Sequence, residues 1–246
     1  MSTIEIVSHC WDGHLPIYAP MLRAQGLSLI NYSRHKCQVS WSVYFEHNDT
    51  EVWNVLAELE SALLKCGVDL YRFPVSLGEV FQRSIGRNSV ALSTGADCVW
   101  FCDCDYLFVD GCLDSAIEAT ALSPDAIVYP FHVAVTSHED GDAIIGRMKD
   151  KKSLDPAEMA QFSTRNETKA IGGIQIVHGN LARSHGYLNG TKWQQPQTKV
   201  DAGFFQTGSD VRYRKSIGKQ CQRPITGVRR IRHSRRAYNG TVVDPK

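Results

Sequence analysis

The sequence has no long apolar segment. No run approaches the ~20 residues that a membrane-spanning helix needs. The opening MSTIEIVSHCWDGH lacks the basic start and apolar stretch of a secretory signal, so we expect a cytoplasmic protein. The composition, with 43% hydrophobic and 22% charged residues among 246, is that of an ordinary globular chain able to bury a substantial core.

The sequence also has little net charge. A formal charge of +1 predicts no strong overall attraction to nucleic acid or to a membrane surface. The distribution is uneven, however, because residues 211–236 contain ten Lys or Arg and no acid. That stretch holds a single aromatic residue, Tyr213, so it lacks a platform for stacking bases, although it could neutralise phosphates.

The eight cysteines contain no Cys-X-X-Cys pair. They lie mostly within apolar runs, as free core thiols do, and a chain of this length does not need disulfides; we therefore expect a reduced protein. Cys98, Cys102 and Cys104 are close enough in sequence to raise the question of zinc. Structural zinc usually uses two paired-cysteine knuckles. These three cysteines have no Cys-X-X-Cys pair elsewhere in the sequence to complete such a site, so core thiols are favoured.

Apolar patterning alternates between strand and helix. Strands are expected at 3–9, 39–47, 68–73, 98–108 and 125–135, and helices at about 16–25, 49–67, 77–96 and 110–123. This alternation predicts an α/β fold with a mostly parallel central sheet flanked by helices. Residues 136–169 are polar and are expected to form loops or a lid, and residues 170–186 return to strand and helix.

The run CVWFCDCDYLF, residues 98–108, places two carboxylates in an otherwise apolar strand. Because side chains alternate along a strand, Asp103 and Asp105 are expected on one face, at the end of the strand where α/β sheets bind ligands. Like charges so close repel unless a cation lies near them, and a hard divalent ion is the natural partner. The spacing alone leaves an alternative open, in which both acids are hydrated or cap the next helix.

Three segments in order resemble one enzyme family. They are IEIVSHCWDGHLPIYAPMLRAQ (4–25), VYFEHNDTE (43–51) and SLGEVFQRSIGRNSVALSTGADCVWFCDCDYLF (76–108). Together they resemble the metal-dependent, nucleotide-sugar glycosyltransferases of the GT-A fold, especially family 2-like members. The resemblance implies a Rossmann-like GT-A domain spanning 1–246, with a nucleotide-sugar-binding half (1–115) and an acceptor-binding and catalytic half (116–246).

The resemblance implies a metal site and a donor. Asp105 would bind Mn²⁺ or Mg²⁺, Asp103 would contact the metal or the ribose, and the metal would clamp the diphosphate of a nucleotide sugar, with a UDP-sugar as the expected donor. His233, in RRIRHSRR, matches a late histidine that completes the metal site in many such enzymes. A surface histidine in a solvated basic tail is the alternative.

Further positions match the donor pocket by the same resemblance. Glu46 corresponds to an acid at the nucleotide base, with Asp49 nearby, His9 ends the first strand beside the nucleotide, and Arg87 faces the pocket from a helix. The pair Gly172-Gly173 corresponds to a double glycine beside the donor sugar, where a backbone without Cβ atoms permits close approach. Ordinary solvated charges and a turn entering a strand are the alternatives.

The general base is the least defined position. The segment FFQTGSDVRYR (204–214) resembles the family segment that carries the base, but its usual acidic pair falls on Thr207-Gly208. A shifted register makes Asp210 the base, and Asp201 in KVDAGFF is the competing candidate. The expected inverting stereochemistry depends on that assignment.

The sequence therefore predicts a glycosyltransferase that moves a sugar to the hydroxyl of a glycan, lipid-linked or nucleic-acid acceptor. One alternative is a sugar-1-phosphate nucleotidyltransferase, but SHCWDGHLP lacks the glycine-rich basic loop usual after the first strand of that class. A second alternative is a nucleic-acid-binding domain that uses residues 211–236.

Overall fold

The computed structural model describes residues 1–11, 17–32, 36–149, 155–158, 160–187 and 209–234, and the backbone alone of residues 81, 236–238 and 241–243. Statements below on what is absent apply to this part of the chain.

The described elements alternate between strand and helix through most of the chain. The strands are β1 (Thr3–Cys10), β2 (Gln38–Glu46), β3 (Val68–Val75), β4 (Cys98–Asp103), β5 (Tyr106–Phe108), β6 (Ile127–Pro130), β7 (His132–Thr136), β8 (Phe162–Asn166), β9 (Gln175–His178), β10 (Gln220–Arg223), β11 (Val228–Arg230), β12 (Arg236–Tyr238) and β13 (Thr241–Val243). The helices are α1 (Tyr18–Asn31), α2 (Thr50–Lys65), α3 (Leu77–Phe81), α4 (Arg83–Ser93), α5 (Cys112–Ala121), α6 (His138–Lys149), α7 (Gly179–His185) and α8 (209–217).

A seven-stranded sheet forms the centre of the fold, in the order β10-β6-β9-β4-β1-β2-β3. All strands run in one direction except β9, which is antiparallel to both of its neighbours. The central strands are apolar because helices cover both of their faces, as parallel sheets require. The predicted α/β class with a mostly parallel sheet is thus confirmed, as are the strands near 3–9, 39–47 and 68–73 and the elements within 170–186.

The strand order reverses next to β1. From β1 the chain adds β2 and β3 on one side and then crosses to add β4 on the other side of β1. In open α/β sheets, ligands bind at such a reversal, beyond the carboxyl ends of the two strands that flank it. The ends of β1 and β4 are therefore the place where the fold itself predicts a binding site.

Two of the predicted strands are each divided between two sheets. The run 98–108 separates at the turn of Cys104 and Asp105 into β4 of the main sheet and β5 of a second sheet, whose order is β5-β11-β7-β8. The run 125–135 separates after Pro130, which lacks an N–H for further pairing, into β6 and β7 of the same two sheets. Continuous hydrophobicity hid both breaks, because the segments on either side are buried.

The expectation of loops or a lid at 136–169 is wrong in part. This region contains α6 and β8. Helix α6 has acids in its first turn and basic residues in its last, as the helix dipole favours, and it buries Ile144, Ile145 and Met148. Its many charged residues form the solvated face of an amphipathic helix. Among the described helices, none combines the length and apolar composition needed to cross a bilayer.

Two glycines of α6 provide a test of its packing. A Cβ at Gly141 would lie 1.5 Å from the backbone carbonyl oxygen of Arg232, whereas a Cβ at Gly146 would meet nothing within 4 Å. We predict that Gly141→Ala lowers the free energy of unfolding by about 1–3 kcal/mol through steric overlap. Gly146→Ala should raise it by roughly 0.5–1 kcal/mol through helix propensity. Urea denaturation of both variants measures this, and equal effects would show that α6 does not pack against residue 232.

Candidate active site

The carboxyl ends of β1 and β4 bring His9 beside Asp103, which are partners in the strand register. Helix α4 crosses this region closely because of Gly86. A Cβ there would lie 2.5 Å from His9 Nε2 and 2.7 Å from the ring of Tyr44. The glycine thus lets α4 approach the sheet and brings the side chains of its first turns over the end of β4.

Two arginines of α4 meet two aspartates at this point. Arg87 donates to Asp103 Oδ1 at 3.1 Å and to Asp210 Oδ1 at 3.0 Å. Arg83 also donates to Asp103 Oδ1, and it donates to Asp210 Oδ2 at 3.2 Å. The Tyr187 hydroxyl lies 2.6 Å from Asp210 Oδ1 and accepts from Arg87 at 2.9 Å. We call these five residues the charge cluster. Its two positive and two negative charges balance, which makes their burial tolerable.

Burial and neighbouring charges shift the pKa values of the cluster in opposite directions. Burial alone would raise the pKa of Asp103, but Arg83 and Arg87 outweigh it and lower that pKa to about 2. Burial would lower the pKa of Arg87, yet the net shift is upward because Tyr187 and Asp210 lie next to its guanidinium. Asp103 is therefore ionised at neutral pH, held by two cations.

Asp105 has a different environment from Asp103. Because β4 ends at Asp103, Asp105 lies in the following turn, so the prediction that alternation along one strand places both on one face is wrong. Its Oδ2 accepts from Arg230 at 2.8 Å, while its Oδ1 is buried without a hydrogen-bond partner in the described part of the chain. Burial raises the pKa of Asp105; Arg230 opposes the shift and the charge of Asp103 adds to it. The two carboxylates are thus close enough to repel.

The backbone of this turn is fixed by Gln25, a fully buried residue of α1. Its side-chain amide donates to the carbonyl oxygens of Asp103 and Tyr106 at 3.1 and 3.0 Å, and its own oxygen accepts from Ser8 at 2.7 Å. A buried amide with all of these partners specifies one arrangement, since each lost bond would leave a buried polar group unsatisfied. Gln25 therefore fixes the positions from which Asp103 and Asp105 project.

The two glycines predicted beside the donor sugar lie against the charge cluster. A Cβ at Gly172 would be 2.2 Å from Asp210 Oδ2, and one at Gly173 would be 2.3 Å from the ring of Tyr106 and 3.1 Å from Asp103 Oδ2. They form a turn directly before β9. The backbone here closely approaches side chains of the charge cluster and of Tyr106, and the predicted approach to a donor sugar stays a prediction.

The two predicted histidines differ in their surroundings. His9 is buried and stacked on Tyr44 with ring centroids 5.0 Å apart, and neither ring nitrogen has a hydrogen-bond partner among the described residues. Burial, and then the charges of Arg87 and Arg83, lower the pKa of His9 well below 6.5, so its ring is neutral. His233 stands edge-on to Tyr18 at 6.3 Å and lies within electrostatic reach of Asp105.

The acids predicted near the nucleotide base lie apart from the charge cluster. Glu46 is the last residue of β2, two strands from β4. Asp49 caps α2 by accepting from Val52 N at 3.1 Å, which gives it a structural role whatever else it contacts. Asp201, one of the two candidate bases, lies outside the described residues.

The fit of a divalent metal depends on the free carboxylate oxygens. Within the described residues, no three His, Cys, Asp or Glu side chains are placed to hold one ion. Asp105 Oδ1 is nevertheless a buried, unpartnered oxygen, and no hydrogen bond from a described residue reaches Asp103 Oδ2. Hard cations prefer such oxygens and accept further oxygens from a phosphate. These two oxygens are therefore the ones in the described site that a divalent ion could take as ligands.

Five of the ten basic side chains in 211–236 make polar contacts within the protein, and the side chains of Arg235 and Arg236 lie outside the described ones. Arg230 pairs with Asp105 and Lys219 with Asp125, while Arg223 donates to the hydroxyl of Ser123. Two more donate to backbone carbonyl oxygens, Arg214 to Ala170 and Arg229 to Ala157. These five side chains are thus committed to contacts within the protein.

A separate groove of about 430 Å³ lies on the sheet, lined by residues of β1, β2 and β3 and by residues 93–96. It contains none of the predicted site residues. Its only charged lining groups are the carboxylates of Glu5 and Asp69, which do not favour a phosphate. This groove is therefore separate from the site that the sequence predicted.

Sequence reasoning missed several of the residues that build this site. Arg83 precedes Arg87 by four positions on one helix, so the spacing of two basic residues on one helix face could have predicted their convergence. Arg230 was recognised only as part of a basic stretch. Gln25 and Tyr187 carry no local signal, since their partners are distant in sequence.

Comparison with known proteins finds similarity among solved structures and none in sequence. No family model matches the chain, and no curated protein matches it in sequence. Among solved structures, the apo form of mouse xyloside xylosyltransferase 1 matches at a TM-score of 0.49 and 13% identity, over 89% of this chain and 82% of that one. A likeness of this degree leaves the function to be argued from the site itself.

Removal of Arg87 tests the charge cluster. We predict that Arg87→Met lowers the free energy of unfolding by about 3–5 kcal/mol, because it leaves a buried excess of negative charge. The control Arg72→Met, whose ion-pair partner Glu60 is exposed, should cost no more than ~1 kcal/mol. Urea denaturation measures both, and equal costs would contradict a stabilising role of the cluster.

Acid titration tests the pairing of Asp103. Because its folded pKa of about 2 lies below the unfolded value of 3.8, its stabilising contribution is present above pH 4 and is lost as the pH falls from about 4 to 2. That contribution is roughly 2 kcal/mol. Asp103→Asn should therefore lose less stability than the wild type across this interval. Denaturant titrations at each pH measure the free energy of unfolding of both proteins. If the two free energies changed in parallel with pH, the arginines would not be holding this carboxylate ionised.

Proposed function

We propose that the protein is a glycosyltransferase that moves a sugar from a nucleotide diphosphate to an acceptor hydroxyl. The observation that carries the proposal is the placement of Asp103, Asp105, Arg83 and Arg87 at the reversal of strand order between β1 and β4. A nucleotide diphosphate needs cations for its phosphates and a crevice for its base, and this is where such a sheet offers both.

The carboxylates and the arginines of the site have different proposed roles in binding the donor. Asp105 through Oδ1 and Asp103 through Oδ2 would hold Mn²⁺ or Mg²⁺, and Arg230 fixes the other oxygen of Asp105. The ion, when bound, supplies positive charge to the diphosphate. His233, near Asp105, is proposed as a further ligand, as the family resemblance suggests.

The proposed reaction exchanges one bond at the anomeric carbon. The bond from that carbon to the oxygen of the β-phosphate breaks, and the diphosphate leaves with the electron pair. The acceptor oxygen bonds to the carbon, and its proton passes to a base. Fixed positive charge near the leaving oxygens stabilises the negative charge that develops there. Arg83 and Arg87 are the cationic side chains that contact Asp103.

Asp210 is better suited to positioning than to proton transfer. Its two oxygens are engaged by Tyr187, Arg87 and Arg83, which leaves neither of them open to the hydroxyl of an acceptor. We therefore propose that Asp210 holds the two arginines. Asp201 remains the candidate base from the sequence, and the inverting outcome remains a prediction.

Thermal stabilisation by nucleotides tests the donor site. We predict that a nucleoside diphosphate or its sugar, with UDP as the first choice, raises the melting temperature in the presence of Mn²⁺. At a ligand concentration 100 times Kd the gain is about 2.7 kcal/mol, or ~5–10 °C for a chain of this size. Asp105→Asn should lose the part of the shift that depends on Mn²⁺ and should no longer transfer or hydrolyse the donor sugar.

Asp69→Asn, an acid of β3 outside the site, provides the control and should retain the full shift. If no nucleoside diphosphate stabilises the wild-type protein, the glycosyltransferase proposal is wrong. If Asp105→Asn keeps a full Mn²⁺-dependent shift, the nucleotide site stands but the metal does not bind where we propose.

A further inference from the structure

We infer that Arg83 is an exchangeable arm that binds the β-phosphate of the donor, while Arg87 is a fixed member of the site. This inference rests on the proposed function and assigns different roles to two arginines that contact the same two aspartates. Only Arg87 lies at a position that the family resemblance identified, and Arg83 precedes it by four positions on the same helix.

The first argument is that the contacts of Arg83 duplicate those of Arg87. Each arginine donates to Asp103 Oδ1 and to one oxygen of Asp210. If Arg83 moved away, both carboxylates would keep a guanidinium partner, and Asp210 would also keep the hydroxyl of Tyr187. If Arg87 moved away, Tyr187 would lose its cationic partner in the buried interior. The structure can therefore release Arg83 more readily than Arg87.

The second argument is accessibility. The Arg83 side chain is 19% exposed, whereas that of Arg87 is fully buried. Arg83 is the first residue of α4, and Arg87 lies one turn deeper, against the ring of Tyr187. A guanidinium at the solvent side of the cluster can reach a ligand that enters the crevice, and one enclosed on all sides cannot.

The third argument is an unused donor. The Nε of Arg83 is buried and has no hydrogen-bond acceptor among the described residues, although its two terminal nitrogens bind separate carboxylates. Arginine has a fork geometry that suits two oxygens of one anion, and here the fork is divided between two residues. A phosphate that accepts from Nε and a terminal nitrogen together would satisfy the unused N–H.

The surroundings of Arg83 suit an anion. The start of α4 has no side-chain cap, and the dipole of a helix places partial positive charge at its N-terminus. Gly172 stands behind the pair formed by Arg83 and Asp210, where a Cβ would lie 3.6 Å from the arginine Nη2. At that distance even a Cβ would be in ordinary contact with the nitrogen, so the backbone at Gly172 does not crowd the guanidinium of Arg83.

Movement of Arg83 from Asp103 to the diphosphate also keeps the charges of the site balanced when the donor is bound. Without donor, the two arginines neutralise Asp103 and Asp210. A diphosphate adds negative charge, which a guanidinium released from Asp103 meets directly. The negative charge left on Asp103 is then available to a cation at its free Oδ2. Arg83 therefore shifts from partner of an aspartate to partner of the leaving group.

The test compares nucleoside diphosphates with monophosphates. Among UDP, GDP and ADP, the one that binds the wild-type protein tightest is titrated calorimetrically with Mn²⁺ present, together with its monophosphate. We predict that Arg83→Gln weakens diphosphate binding by about 10–100-fold, the range of a charge-assisted hydrogen bond, and monophosphate binding by less than about 3-fold. Arg83→Lys, which keeps the charge, should recover part of the loss.

Arg72→Gln, on β3, is the matched control and should bind both nucleotides like the wild type. Arg87→Gln should lower the melting temperature more than Arg83→Gln does, since only Arg87 is fixed. Equal loss of diphosphate and monophosphate affinity in Arg83→Gln would overturn the exchange while leaving the donor site intact. Failure of the wild type to bind any of the three diphosphates would overturn the proposed function itself.

Discussion

The site depends on the attraction between two arginines of one helix and the aspartate that ends the central strand. Arg83 and Arg87 reach Asp103 because Gly86 lets α4 pack directly on β1 and β2. Without this approach Asp103 would be a partly buried carboxylate beside a second one, Asp105, and Arg230 would be left to offset the repulsion of both. The positive charge that two neighbouring carboxylates require is thus supplied in part by side chains of the protein.

The two aspartates have separate tasks as a result. Asp103 is ionised and paired, with its pKa lowered to about 2. Asp105 shares its charge with Arg230 and keeps one buried oxygen without a partner. Gln25 fixes both by binding the backbone of the intervening turn. This combination of a neutralised acid, an available oxygen and a rigid backbone is suited to a ligand that brings phosphates and a metal together.

Much of the fold and part of the site could be predicted from the sequence. The remaining features could not, and each has a physical reason. Strand and helix periodicity located the parallel sheet, and the Asp-X-Asp run located the end of β4. The division of 98–108 into β4 and β5 was hidden because both parts are apolar and buried. Helix α6 was hidden by its charged face. The contacts of Asp210 with Arg87 and Tyr187 span more than 20 residues of sequence, so no local pattern could indicate them.

The central claim is that a diphosphate binds where the arginines of α4 meet Asp103 and Asp105. A crystal structure with Mn²⁺ and a non-hydrolysable nucleotide sugar tests this most directly. The account predicts phosphate oxygens within hydrogen-bonding distance of the guanidinium of Arg83, and the ion on Asp105 Oδ1. A complex in which the nucleotide binds elsewhere, with Arg83 still on Asp103 and Asp210, would contradict it.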